Sequence, residues 1–415
     1  MKKNNINFFL YTLFVTNIIY FLYGFIQQHD FSNGGNIDFQ HIYQNFLLFK
    51  GSSIPNIDWQ KYESSSLPLF YIVTKYLLPN NNVLLFKLFS LTLSLVCLPL
   101  FYYVLKFKFK FNKFNMNLVL ISSIILISSS FRTDAFFGLE ENIGFFFLLL
   151  SLAFFYLYQS NLDKKFKILI IFFSCLVFYT RQTYAFVPII TYLFFLDKSS
   201  IFSLKNFKLS LVYFLFLIPS FYFFIIWESL VPPMASTRVV KFDYHTIATT
   251  FGMYIIFILP FYIYNFQFYL KKLNTKKIFI YSFFFIIYSF LFWNLPVKDF
   301  GGGPLAKLIT ISINFKIIYL FFSYIGLLIT FDLVKNSFNF LIFAIFFIFV
   351  YLFSDNSFFS YLDPLFLMLL IVFTDNFKLQ IKDDSFFAIY LFFYFLLLHL
   401  SWICYFEIYL GGIIR

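Results

Sequence analysis

The side chains of this chain that are best suited to chemistry are a few carboxylates near its amino end and a few widely spaced arginines. Asp38 opens the segment "DFQHIYQNFLLF", and Asp58 and Glu63 follow it. A carboxylate can act as a general base that removes the proton of an attacking hydroxyl. A guanidinium group binds phosphate through two parallel N–H donors. Together these groups suit the transfer of a group from a phosphate-bearing donor to a hydroxyl, with Asp38 as the candidate base.

The arginines are few, and their positions differ from those of the lysines. The chain has 27 Lys but four Arg, and Arg132, Arg181 and Arg238 all lie in segments that contain little lysine. If they converge, they would hold the phosphate of a lipid-linked substrate, and Gln182 would hydrogen-bond a sugar hydroxyl. The alternative is that each arginine is an isolated anchor at the membrane surface. Arg415 is terminal and is left out of the site.

Further residues of the same amino-terminal segment complete the candidate site. His41 could orient the acceptor or the base, Glu63 and Asp58 are alternative bases, and Trp59 could stack on a sugar ring. The competing interpretations are structural, since an Asp before a helix is a common cap and a Trp at a membrane edge belongs to the aromatic belt. The sequence has no metal-ligand spacing. We predict no cofactor and no metal centre, although the chemistry would be compatible with a divalent ion.

The composition shows which kind of fold must position these residues. Of 415 residues, 61% are hydrophobic and 12% are charged, and the mean hydropathy is +0.81. No soluble core could bury that much apolar surface, so the solvent must be lipid. We predict an all-α polytopic membrane protein with one domain, residues 1–415, and about 11–13 transmembrane helices. The expected spans are 7–26, 83–105, 117–131, 143–158, 168–180, 185–197, 209–227, 247–270, 278–295, 310–331, 339–353, 364–374 and 385–404.

The lysines predict the orientation of these spans. The net charge is +12, but the lysines cluster in alternate loops, which indicates positive-inside topology rather than nucleic-acid binding. The amino terminus is then cytoplasmic. The predicted outer loops are 27–66, 132–142, a turn near 181, 228–246, 296–308 and 354–363. The first of these is the longest, and the apolar positions Ile42, Phe46, Leu47 and Phe49 predict an amphipathic helix within it.

Several short motifs resemble the GT-C class of integral-membrane glycosyltransferases. They are "IDFQH" and "DWQKYESSSLPLFY" in the first outer loop, "FRTDAFFGLEEN", "YTRQTYAFVP", "IIWESLVPPMASTR" and "FFSYLDPLFLM". Within that class, the chain is most similar to the dolichyl-phosphate-glucose-dependent α-1,2-glucosyltransferase family. The acid pair of that family is here a single acid, Asp38, followed by Phe39.

The resemblance implies a hexosyltransferase with Asp38 as base. Its donor would be a polyprenyl- or dolichyl-phosphate sugar, most simply glucose, and its acceptor a lipid-linked glycan. The site would face the lumen of the endoplasmic reticulum in a eukaryote or the periplasm in a prokaryote. Two rival functions stay open at this point: a lipid-linked-sugar polymerase or ligase, and a lipid or sugar transporter of the flippase kind. A structural, non-catalytic role is a third.

Overall fold

The structure is a computed structural model, and it describes residues 3–28, 35–64, 66–111, 113–200, 202–229, 231–236, 242–266, 274–294, 313–352, 363–375 and 377–405. Over these ranges the chain is helical, and no β-strand occurs in them. Seven of the described helices are long and apolar enough to cross a membrane, and one bent pair would bring the number to eight. The chain is therefore an all-α polytopic membrane protein, as its composition predicts.

The chain divides into two compact units. The first comprises Met1–Val239 and His399–Arg415, and the second Val240–Leu398. The helices of the first unit are α1 Lys3–Ile26, α2 Gly35–Gly51, α3 Leu69–Leu77, α4 Val83–Lys108, α5 Met116–Ser123, α6 Ser129–Phe137, α7 Glu141–Asn161, α8 Lys164–Thr180, α9 Phe186–Phe195, α10 Leu204–Trp227 and α11 Pro233–Ser236. Within this unit α7 packs along both α4 and α8.

The second unit is built around one deeply buried helix. Its helices are α12 Thr246–Tyr264, α13 Thr275–Leu291, α14 Ile313–Asn336, α15 Phe338–Leu352, α16 Leu365–Phe373, α17 Lys378–Asp383 and α18 Ser385–Tyr405, of which the last continues from residue 399 into the first unit. Helix α12 packs most extensively on α14. Ser323 joins the two, since its hydroxyl donates to the carbonyl of Ala248 at 2.6 Å.

The predicted amphipathic helix of the first outer loop is α2. Ile42, Phe46 and Phe49 are buried on one face at helical spacing. Leu47 was expected on that face but is 37% exposed, because one helical step from Phe46 turns it by about 100°. The loop then forms two short 3₁₀ turns and helix α3, which lies within the proline-bounded segment 67–79.

The predicted span 117–131 is broken in the structure. Helices α5 and α6 meet at an angle of 64°. Just before the break, the hydroxyls of Ser122 and Ser123 bond back to carbonyls three residues earlier, a pattern that bends helices. Helix α6 then runs on to Phe137, so Arg132 lies in a helix and not in the loop expected at 132–142. Gly138 ends it with a φ of +74°, a conformation that favours glycine.

Candidate functional site

Three segments that the lysine pattern assigns to one side of the membrane meet in the first unit. The hydroxyl of Ser64, from the loop 27–66, donates to Oε1 of Glu140 at 3.0 Å. Next to Glu140, Glu141 pairs through its Oε1 with Nη2 of Arg181 at 2.5 Å. We call Ser64, Glu140, Glu141 and Arg181 the acidic cluster. Its members come from separate parts of the chain, so the fold assembles it.

The start of α7 is fixed by residues that flank the two acids. The side-chain amide of Asn142 is buried, and its nitrogen donates to the Ser94 hydroxyl at 2.6 Å and to the Phe131 carbonyl at 3.1 Å. Gly144 lets α7 approach the end of α8, because a Cβ at this position would lie 2.7 Å from the hydroxyl oxygen of Thr180. This close approach places Glu141 against Arg181, which directly follows Thr180.

The cluster holds a carboxylate with an unusual proton affinity. Burial, and then the negative charge of Glu141, raise the pKa of Glu140 to about 7, although Arg181 and the nearby serine hydroxyls oppose the shift. The second carboxylate oxygens of both glutamates are buried and make no hydrogen bond within the described residues. Buried polar atoms are normally paired, and a titratable group near neutrality in such a place is a functional-site candidate.

An exposed acid–imidazole group lies in the same loop. Asp38 is in the first turn of α2 and is exposed, and His41 follows it one helical turn later on the same face. Nδ1 of His41 contacts Oε2 of Glu63, and half of the His41 side chain is exposed. Glu63 is held in turn by its backbone N–H, which donates to the side-chain oxygen of Asn45 at 2.9 Å. A carboxylate that fixes one ring nitrogen orients the other for proton transfer.

The structure places the other predicted site residues differently. Gln182 lies beside Arg181 in a 3₁₀ turn and is partly exposed. Trp59 is buried, with ring centroids 5.5 Å from Phe223 and 5.7 Å from Trp227. Such edge-to-face contacts make Trp59 a packing residue of the first loop. Arg238 lies outside the described residues.

Arg132 lies at the break between α5 and α6. It is fully buried, and its guanidinium donates to the carbonyls of Leu126 at 3.2 Å and Tyr20 at 3.1 Å. It also lies 4.1 Å from the centre of the Tyr20 ring. Asn17 gives the same support, since its amide donates to the Ser123 carbonyl at 2.8 Å. The bonds to Leu126 and Ser123 satisfy carbonyls at the break, as a lipid environment demands, and the bond to Tyr20 ties the break to α1.

Sequence reasoning missed Glu140 and Glu141 as site residues. Their signal was present in the segment "GLEEN", where two adjacent acids stand at the start of an apolar run. Paired carboxylates at the entrance of a span are costly unless a cation meets them, and Arg181 supplies one. Among the described residues, no group of three or more His, Cys, Asp or Glu side chains could hold a metal ion.

No protein-family model, curated protein or solved structure matches this chain. The resemblance to GT-C glycosyltransferases therefore stays a prediction from short motifs.

Proposed function

We propose that this chain is an integral-membrane glycosyltransferase. It would move a hexose from a polyprenyl- or dolichyl-phosphate donor to a hydroxyl of a lipid-linked glycan. The specific hexose that we propose is glucose. One observation carries the proposal most: the exposed Asp38 and the His41–Glu63 pair lie in the segment that Ser64 joins to the largely shielded Glu140, Glu141 and Arg181. Exposed acid–base groups and a guanidinium in one helical membrane protein suit a phosphate-linked lipid substrate.

The acceptor side of the reaction would use the exposed group. Asp38 takes the proton of the acceptor hydroxyl as its oxygen attacks the anomeric carbon. His41, oriented by Glu63, hydrogen-bonds the acceptor or takes the proton on from Asp38. The new glycosidic bond forms as the bond between the anomeric carbon and the phosphate oxygen breaks, and the lipid phosphate leaves.

The donor side would use Arg181. The leaving phosphate gains negative charge as the glycosidic bond breaks, and a guanidinium stabilises such charge through two N–H donors. Arg181 is paired with Glu141 in the structure, so phosphate would have to compete with that carboxylate. A protonated Glu140 leaves the arginine facing one negative charge instead of two. Gln182 would bind a sugar hydroxyl beside it.

The proposal is tested with purified protein and a panel of radiolabelled polyprenyl- and dolichyl-phosphate sugars. One donor of the panel is expected to label a lipid-linked glycan acceptor, and Asp38→Asn is expected to lower that transfer strongly. Glu228→Gln is the matched control, because it removes an exposed carboxylate on the same predicted side. If no donor supports transfer to any acceptor, or if the Asp38 variant transfers at the normal rate, the proposal fails as stated.

One observation favours a second candidate, a transporter of lipid-linked sugar. His399 is buried in α18, and its ring nitrogens lie 3.1 Å from the Tyr20 hydroxyl and 2.8 Å from that of Ser129. Ionisable side chains within spans often mark transport paths. Comparing activity in detergent with activity in proteoliposomes distinguishes the two functions. A transferase forms product in detergent solution, whereas a transporter needs the two compartments of a proteoliposome.

A further inference from the structure

The end of the first loop is closed on itself by side-chain hydrogen bonds. The Tyr62 hydroxyl donates to the Ser66 carbonyl at 2.9 Å, and the Ser66 N–H donates to the Ser64 hydroxyl at 3.0 Å. Tyr62, Ser64 and Ser66 are all buried. We call this segment, residues 62–64 and 66, the serine turn. Ser64 accepts the hydrogen bond of Ser66, and the Tyr62 ring packs against Tyr71 and Trp227, so the turn contacts its surroundings through both Tyr62 and Ser64.

The serine turn is docked on the connection between α6 and α7. Ser64 accepts the hydrogen bond of Ser66 and donates its own to Glu140. Glu63 directly precedes Ser64, and its carboxylate contacts His41. A displacement of Ser64 from Glu140 would thus move Glu63, and with it the partner that orients the imidazole.

The charges around Glu140 do not balance when it is ionised. It is faced by Glu141 from α7, by Arg181 after α8, and by the phenols of Tyr62 and Tyr71 from the first loop and α3. Arg181 is already paired with Glu141. Among the described residues, Arg181 would then be one cation for two carboxylates, of which Glu140 is buried and Glu141 partly buried, and an uncompensated buried charge is strongly unfavourable. A protonated Glu140 removes that excess and still accepts the Ser64 hydrogen bond.

We propose that Glu140 is a positioning residue: its protonated form holds the serine turn, and thereby Glu63 and His41, on the α6–α7 connection, and its ionisation releases the turn. The docking is a property of the fold alone. Its effect on transfer rests on the proposed function.

The direction of the pH dependence follows from linkage. Burial in the docked fold and the charge of Glu141 raise the pKa of Glu140 from its ordinary 4.5 to about 7, and release of the turn admits water to this carboxyl and so returns its pKa toward the ordinary value. Docked protein therefore binds more protons than undocked protein between these values, so docking weakens as the pH rises from about 4.5 to about 7 and is constant above that. Each unit of pKa difference corresponds to a tenfold change in the docking equilibrium.

Hydrogen exchange tests the docking without any substrate. The measured quantity is the protection of the backbone amides from Ile57 to Ser64, corrected for the intrinsic pH dependence of exchange, in detergent between pH 5 and 8. We expect protection in the unaltered chain to fall by about tenfold or more over this range. Glu140→Gln carries no charge at any pH and should stay protected throughout. Glu228→Gln should behave as the unaltered chain does.

A second variant tests the proposal independently in case Glu140→Gln does not fold. Glu141→Gln removes the negative neighbour and frees Arg181 for Glu140, so the fall in protection should move to lower pH. The proposal is overturned if the unaltered chain shows no fall, or if Glu140→Gln shows the same fall. An unchanged midpoint in Glu141→Gln would overturn it as well.

The transfer assay separates this inference from the proposed function. If exchange behaves as expected but no donor is used, the glycosyltransferase proposal fails and the docking stands. If transfer occurs, its kcat should decline toward alkaline pH in the unaltered chain and decline less in Glu140→Gln. A pH profile that is identical in both proteins would refute the positioning role.

Discussion

Arg181 and Glu141 form an ion pair of 2.5 Å at the meeting point of α7 and α8, with both side chains largely shielded from solvent. The pair fixes an always-charged fork beside the buried Glu140 and next to the loop that carries Asp38 and His41. A guanidinium held in this way is already positioned, so little further ordering is needed when an anion replaces Glu141.

Arg181→Lys tests whether the fork geometry matters. Lysine keeps the positive charge but offers a point charge in place of two parallel donors. We expect the KM for the lipid-phosphate sugar to rise by about tenfold, with the KM for the acceptor changed less. Steady-state transfer with each substrate varied in turn measures both. Equal effects on the two substrates would argue against a donor-phosphate role.

Asp38→Asn tests the proposed base. The amide keeps the size of the aspartate but cannot take a proton. Transfer is expected to fall by about 100-fold or more while the thermal stability stays the same, since loss of a general base typically costs 10²–10⁴ in rate. If the rate is unchanged, Asp38 is not the base and only places a negative charge in the first turn of α2, where the helix dipole favours it.

The contact between His41 and Glu63 gives a separate prediction. Glu63→Gln retains a hydrogen-bond acceptor for Nδ1 but removes the negative charge, whereas His41→Asn removes the imidazole. We expect about a tenfold lower kcat for the first variant and a larger loss for the second, with little change in either KM. Asp58→Asn is the control, because Asp58 caps the 3₁₀ turn of the same loop and asparagine also caps. A loss of similar size in that control would point to disruption of the whole loop.

Arg132 should matter for stability more than for turnover. Replacing it with methionine leaves the carbonyls of Leu126 and Tyr20 without these donors in an apolar environment. Each lost partner is expected to cost about 1–3 kcal/mol. The midpoint of thermal unfolding in detergent should drop by several degrees, whereas the exposed Lys165→Gln control should not change it. If Arg132→Met unfolds normally but uses the donor poorly, the arginine belongs to the substrate site after all.

The predicted orientation can be checked by cysteine labelling. Cys404 is exposed, so the test uses Cys404→Ser as its background, and Cys97 and Cys175 are buried. Ser53→Cys lies in the first loop, and Lys164→Cys lies at the start of α8. In sealed vesicles whose outer surface is the predicted non-cytoplasmic face, an impermeant maleimide should label the first without permeabilisation and the second only after it. Labelling of both from one side would invalidate the topology.

The sequence predicts those features of the fold that depend on local patterns. The apolar runs identify the long helices, and the spacing of Ile42, Phe46 and Phe49 predicts α2 and its buried face. The break between α5 and α6 escapes this reasoning, because hydropathy does not register a bend. Arg132 was consequently assigned to a loop, although the fold places it at the carbonyls of that bend.

The site was only partly predictable for a related reason. Arg181, His41 and Glu63 could be named because their residue types suggest chemistry. Which acid meets Arg181 depends on the contact between α7 and α8, and no single sequence encodes such a pairing in its periodicity. Trp59 shows the opposite error, since its type suggested a sugar platform while its neighbours make it a core residue.

The absence of a side chain at Gly144 affects the acidic cluster as well as the packing of α7 on α8. A methyl group at this position would push the start of α7 away from Thr180. Because Glu141 begins α7 and Arg181 follows Thr180, the distance between these two side chains would increase. The proton affinity of Glu140, which depends on both of them, would change in consequence. Gly144, an uncharged residue one helical turn after Glu141, thus sets the distance between the charged groups of the acidic cluster.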